Sequence, residues 1–299
     1  MPQDETACLW ILATPIGNLG DLSPRARETL ERVTVVLCED TRRTRTLLQA
    51  LAIRLREGAR LERLDAHAKA SDIEHWVGRL QAGDSLALVT DAGTPAVSDP
   101  GAALVAQARE AGFAVIPIPG PSAVTALLSA SGFTSTRFAF HGFFPRGVKE
   151  AERELERIQS ASDASHVWFE SPKRIGKTTG QIAAVLPEAR VVVGKELTKI
   201  HERIFAGNTV EVAAEIAAEL EREGELGEWT FAIQLANLAK PTPTISESSD
   251  WVKALRCLLD SRIPAPEAAK RVSQYFGVAR KIVYAEAVAL GDKKNFRRD

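Results

Sequence analysis

Cysteine is scarce in this chain of 299 residues, and the three that occur, Cys8, Cys38 and Cys257, lie far apart. With no C-x-x-C pair and no suitably spaced histidine, neither a zinc site nor a disulfide framework is predicted, and no metal is expected. Cys8 and Cys38 adjoin or lie in apolar runs, where a thiol behaves as a small hydrophobe. Long apolar runs are missing too. None approaches the roughly 18 to 20 residues that span a bilayer, so no membrane role is expected. The opening MPQDETACLWILATPIG carries no basic leader, and its short apolar part reads as a first strand, which predicts a cytoplasmic protein. Neither sign of charge prevails, the formal net charge being −1. Familiar nucleotide and hydrolase signatures are absent as well. TPIGNLGD has neither the G-x-G-x-x-G spacing nor a G-K-[ST] ending, and GPSAV lacks the second glycine of a G-x-S-x-G elbow.

What is present is an ordinary globular composition, 45% hydrophobic and 26% charged, long enough for two domains and an appendage. Short apolar runs alternate with helical patterns: LWILATP, TVVLCED, SLALVTD and FAVIPIPG are strands, with helices over SPRARETLERV, TRTLLQAL and GAALVAQAREAG. In the first helix Ser23 can cap, Pro24 suits the first turn, and Ala26, Leu30 and Val33 share a face. Continuous apolar strands separated by helices predict a parallel sheet covered on both faces. The texture changes near Pro119 to Ser122, and RFAFHGFF, HVWFES, RVVVGKEL and WTFAIQL form a second set of strands among helices. The predicted organisation is an α/β domain over 1–120, a second α/β domain over 121–239, a linker over 240–250 and short amphipathic helices over 251–299. The last two helices, joined at Gly277, resemble a helix-turn-helix unit. From Pro241 onward eleven Lys and Arg face seven Asp and Glu, a net of +4 that leaves −5 in the preceding part. A basic tail suits a polyanionic partner, and a solvated helical surface reads equally well.

Special residues gather where the predicted parallel strands end: TPIGN, EDTRRTR, DAGTP and PGPSA. In an open parallel sheet these ends share one edge, where ligands bind. Glycines Gly17, Gly93 and Gly120 are expected to let backbone groups approach a ligand, and prolines stiffen the loops. Asp91 has no helix to cap and reads as a ligand contact, whereas Asp99 reads as the cap of the next helix. In the second half, FESPKR and GKELTK place charges of both signs at strand ends, suited to phosphate contacts or to surface ion pairs.

Taken together, ATPIGNLGDLSPRARETL, CEDTRRT, VTDAGTPAVSDPGAALV, IPGPSAVTALLSASG, FFPR, FESPKR and KELTK resemble the successive motifs of the 16S ribosomal RNA cytidine 2′-O-methyltransferase family of the tetrapyrrole methylase superfamily. The resemblance implies two α/β domains with a cleft between them, a small C-terminal helical domain, a homodimer, and S-adenosylmethionine as cofactor. It implies that Asp91, Ala92, Gly93, Thr94 and Pro95, with Gly120, Pro121, Ser122 and Ala123, border the cofactor. Gly17 and Asn18 would lie at its mouth, and Phe169 and Leu197 would supply apolar backbone from the second half. The chain departs from the family pattern around His67, at Lys173 and at Leu226. The implied partner is 16S ribosomal RNA in the small subunit. Methyl transfer to a ribose hydroxyl is helped by a base or an oxyanion-stabilising group. The candidates are Glu39 and Asp40 with Arg42, faced by Lys195 and Glu196 across the cleft. A tetrapyrrole methyltransferase and a non-catalytic RNA-binding factor on the same fold are the competing readings.

Overall fold

The computed structural model describes residues 7–65, 68–97, 101–160, 164–235, 250–261 and 263–295. Asp99, His67 and, apart from Asp250, the expected linker lie outside them. The chain divides into two compact units, Met1–Ala236 and Asn237–Asp299.

In the first unit, β1 (Cys8–Leu12), β2 (Val35–Cys38), β3 (Arg60–Arg63), β4 (Leu86–Leu88) and β5 (Ala114–Ile118) build a parallel sheet in the order β3-β2-β4-β1-β5. The central strands are apolar on both faces because helices cover both. Val35 and Leu37 of β2 pack with Ile73, Trp76 and Leu80 of α3 (Ala70–Gln81) and Leu104 of α4 (Gly101–Glu110). Val36 and Cys38, one residue out of phase, pack with Ala26 and Leu30 of α1 (Pro24–Arg32) and Leu48 of α2 (Thr41–Ala50). As expected, Ser23 caps α1 by accepting from Ala26 N–H at 3.2 Å, with Pro24 in the first position. Strand β3 and helix α3 are additions to the sequence reading. The strand, RLER, is a four-residue edge with no apolar run to announce it.

After α5 (Ala123–Ala130) comes a second sheet of β6 (Phe138–Phe143), β7 (Ser165–Glu170), β8 (Arg190–Lys195), β9 (Arg203–Asn208) and β10 (Trp229–Gln234). Its order is β6-β7-β10-β8-β9, with β6 parallel to β7 and the other pairs antiparallel. Helices α6 (Val148–Ser160), α7 (Ile175–Val185) and α8 (Thr209–Glu223) cover one face around Trp168, Phe231 and Ile216. The other face receives Val124 and Leu127 of α5, together with Ile16 from the loop after β1. Strand β9 is the second edge that sequence reasoning did not find.

The carboxy-terminal unit holds α9 (Asp250–Asp260), α10 (Ala265–Phe276) and α11 (Arg280–Asn295) around Trp251, Leu255, Ala268, Val272 and Val283. Gly277 ends α10 at φ +66°, a left-handed cap that glycine adopts without Cβ strain. Among the described residues no helix is long and apolar enough to cross a membrane.

Candidate active site

The loops after β1, β2, β4 and β5 emerge on one edge of the first sheet, the edge where open parallel sheets bind ligands. Three of these loops are stitched together. Thr14 and Gly93 exchange backbone hydrogen bonds of 2.9 and 3.0 Å. The Thr14 hydroxyl donates to the Thr90 carbonyl and the Thr94 hydroxyl to the Pro121 carbonyl, each at 3.0 Å. Asp91, Ala92, Gly93, Thr94 and Pro95 are thereby tied to Gly120 and Pro121, with Ser122 and Ala123 opening α5. Ser122 occupies the cap position of α5, but its hydroxyl does not cap the helix. Loops already tied in this way have little freedom left to lose on binding.

Two carboxylates on this edge are in contrasting states. Asp91 Oδ2 accepts from Arg43 at 3.1 Å, while Oδ1 is buried and meets no donor among the described residues. Burial, and after it repulsion from Glu39, pushes the Asp91 carboxyl above its ordinary range. An unsatisfied buried acceptor costs about 1–3 kcal/mol, which a donor on a bound molecule removes. Glu39 Oε1 accepts from the Thr90 hydroxyl and, at 3.4 Å, from Asp91 N–H. Its Oε2 makes no hydrogen bond or ion pair among the described residues. One oxygen is anchored and the other is open.

Asp40, next in sequence, is used differently. It caps α2, accepting from Arg42 N–H at 2.8 Å, and the Arg42 guanidinium folds back onto both its oxygens at 3.3 and 3.2 Å. Those Arg42 hydrogen bonds hold its carboxyl at about 2. Arg42 itself remains open to solvent.

Lys195 and Glu196 do not join this group. The Lys195 ammonium, 3% exposed, donates to Glu219 at 2.8 Å and Glu223 at 2.7 Å on α8, and Arg203 and Arg222 complete the cluster. Burial opposes the Lys195 charge, but the two carboxylates outweigh it and raise its pKa. Glu196 Oε1 accepts from Glu228 N–H at 2.8 Å and from Lys199 at 2.9 Å. Neither makes an ion pair or hydrogen bond with Glu39, Asp40 or Arg42 among the described residues. Glu170 of FESPKR is likewise internal, buried and bound to Ser171 N–H, Thr178 and Arg174.

The loop that begins at Glu196 instead reaches the first sheet's half. Glu196 (φ +51°) and Thr198 (φ +67°) are held in the left-handed region, a strain of about 1–3 kcal/mol each. Held there, the Thr198 hydroxyl accepts from Asn18 N–H at 3.1 Å. A Cβ on Gly17 would lie 2.4 Å from Lys199 Cγ and 3.1 Å from the Leu197 carbonyl oxygen. A Cβ on Gly120 would lie 2.8 Å from Ala13 Cβ. At these two positions the missing Cβ therefore admits another part of the protein, where the sequence suggested a ligand. Gly93 has a different reason, its φ of +86°. Leu197 packs with Ile16 in the apolar cluster beneath, against which half-buried Phe169 rests, 4.8 Å from the Phe140 ring.

Sequence reasoning missed Thr14, Thr90, Arg43 and Thr198. Only Arg43 had a visible signal, its place beside the other charges of EDTRRTR. Cys8 and Cys38 are buried, and burial raises both thiols. Among the described residues no three His, Cys, Asp or Glu cluster closely enough to hold a metal ion.

Comparison with known proteins places this edge in a family context. Residues 8–213 match the family model of the Tetrapyrrole (Corrin/Porphyrin) Methylases. The chain is 40% identical over 279 residues to the Ribosomal RNA small subunit methyltransferase I of Xylella fastidiosa (strain Temecula1), covering 92% of this chain and 97% of that one. It is 37% identical over 282 residues to the protein of the same name from Escherichia coli O157:H7, covering 94% of each. Among solved structures, a cobalt precorrin-4 methyltransferase of cobalamin biosynthesis superposes with a TM-score of 0.55 at 16% identity, over 78% of this chain and 97% of the other. A diphthine synthase superposes at 0.53 and 15%, over 75% and 88%. At such identities the structural likeness concerns the fold.

Proposed function

The chain belongs to the tetrapyrrole methylase family and, within it, to the ribosomal RNA small subunit methyltransferase I family, and from that premise we propose that it methylates the 2′-hydroxyl of a cytidine in 16S ribosomal RNA of the small subunit, with S-adenosylmethionine as donor. The observation that carries this reading is likeness along nearly the full length of both chains. When bound, S-adenosylmethionine supplies an electrophilic sulfonium methyl for in-line displacement. The loop edge fits such a molecule: Asp91 Oδ1 lacks a donor that an amine or hydroxyl would provide, and the walls 91–95 and 120–123 are small, backbone-rich and already tied together.

Within that reading, Glu39 is the base. Its Oε2 takes the proton of the attacking hydroxyl, while Thr90 and the Asp91 N–H fix the carboxylate through Oε1. Arg42 and Arg43, exposed at the start of α2, receive RNA phosphates. Asp40 acts by capping the helix that carries them. Lys195 and Glu196 act at one remove, holding the strained loop that meets Asn18. The enzyme works in the cytoplasm as a homodimer, and exposed Phe138 and Phe143 on edge strand β6 support a self-association face.

The test is purified protein with labelled S-adenosylmethionine and small ribosomal subunits, read by mass spectrometry of the RNA. One new ribose methyl on a cytidine is expected. Glu39→Gln should lower turnover about a hundredfold or more and leave cofactor affinity by calorimetry unchanged. Methylation of a precorrin with no reaction on RNA would overturn the reading, as would failure to bind the cofactor.

A further inference from the structure

Every tyrosine of the chain, Tyr275 and Tyr284, lies in the carboxy-terminal unit, and both are exposed, at 85% and 45%. The core of that unit is closed without them by Trp251 and small aliphatic side chains. Tyr284 lines an open pocket of about 450 Å³ together with Pro266, Arg280 and Lys281. Arg280 and Lys281 have no ion-pair partner among the described residues. Both stand in the first turn of α11, which contains no acidic residue, so their charges oppose the helix dipole. The nearby acid, Glu267, is held by Arg271 at 2.9 Å. The pocket thus combines an aromatic ring that packing does not require with two cations that the fold leaves uncompensated.

We propose that this pocket binds one unpaired nucleobase of an RNA strand, stacked on Tyr284 beside Pro266, with the flanking phosphates on Arg280 and Lys281. Single-stranded RNA is recognised by this pairing of aromatic faces with cations, because every base has a face to stack and every linkage a charge to neutralise. The inference rests on the RNA reading above and adds a binding site in the carboxy-terminal unit. It commits to RNA over a protein partner because the pocket's uncompensated charge is wholly positive.

The test uses the full-length chain and a fluorescein-labelled single-stranded RNA 20-mer, with the same sequence as a duplex for comparison, read by fluorescence anisotropy across a salt series. Tyr284→Ala should weaken single-strand binding about five- to a hundredfold, the range expected for one stacked base, while Tyr284→Phe keeps the wild-type affinity. The double variant Arg280→Gln with Lys281→Gln should flatten the salt dependence by about one unit of log–log slope. Melting temperature and calorimetric affinity for S-adenosylmethionine should not move in any variant. Unchanged single-strand affinity in Tyr284→Ala overturns the proposal. So does a change in sedimentation with RNA affinity intact, which would make the pocket a protein contact. Wild-type methyl transfer to ribosomal RNA is measured alongside. Its absence with the Tyr284 effect present sinks the functional reading and leaves the pocket standing, and its presence without the Tyr284 effect does the reverse.

Discussion

Asp91 and Glu39 are neighbours with opposite needs. Asp91 has a buried oxygen awaiting a donor, and its folded pKa lies above the ordinary carboxylate value. The ionised form is therefore disfavoured in the folded state. That penalty is absent below the ordinary carboxylate range and complete once pH exceeds the raised folded value. Asp91→Asn removes the charge and with it the penalty. Thermal melts should find the variant at least as stable as wild type at pH 7, with the difference closing as pH falls toward about 4. Calorimetry should find S-adenosylmethionine bound about tenfold or more weakly, because a charge-assisted hydrogen bond is lost. A residue that stabilises the protein when removed and weakens the ligand is one kept for binding.

Among the elements, the α8 ion-pair cluster shows what the strand-end charges of GKELTK are for. Glu219 is buried, and although burial raises its carboxyl, Lys195 and its other cationic neighbours outweigh that and depress it. Its stabilising contribution is full above the ordinary glutamate range and fades as pH falls through the depressed folded value. Glu219→Gln leaves Lys195 poorly paired and should cost about 3 kcal/mol in denaturant unfolding at neutral pH, with a smaller loss in acid. Sequence could not reveal this, since Lys195 meets partners 24 and 28 residues away. Central strands such as VVLC and LAL were legible because burial on both faces demands unbroken apolar residues. RLER and RIFAGN were not, because an edge strand has one neighbour and half its surface in water. Helix α3 had a readable spacing in Ile73, Trp76 and Leu80. The loop edge was legible from its Gly, Pro and Asp content. The difference between Glu39 and Asp40 was not, because it depends on Thr90 arriving from another strand and on Arg42 folding back.

For the whole molecule, the contact of Gly17 and Asn18 with Leu197, Thr198 and Lys199 joins the halves that carry the two sheets. Gly17→Ala forces a Cβ against Thr198 Oγ1 at 2.8 Å and a backbone carbonyl. Chemical denaturation should register a loss of about 1–3 kcal/mol, the usual cost of overpacking. Saturating S-adenosylmethionine should stabilise wild type by about 2.7 kcal/mol at a hundred times its Kd, and the alanine variant by less at the same concentration.

The loop from Thr14 to Asn18 makes two attachments within five residues, to Gly93 at one end and Thr198 at the other. Thermodynamic reciprocity then applies. Whatever factor a ligand at the first attachment lends to closure at the second, closure must return to the ligand's affinity. Each sheet's half can therefore sense whether the other is engaged, through a segment too short to bend between them.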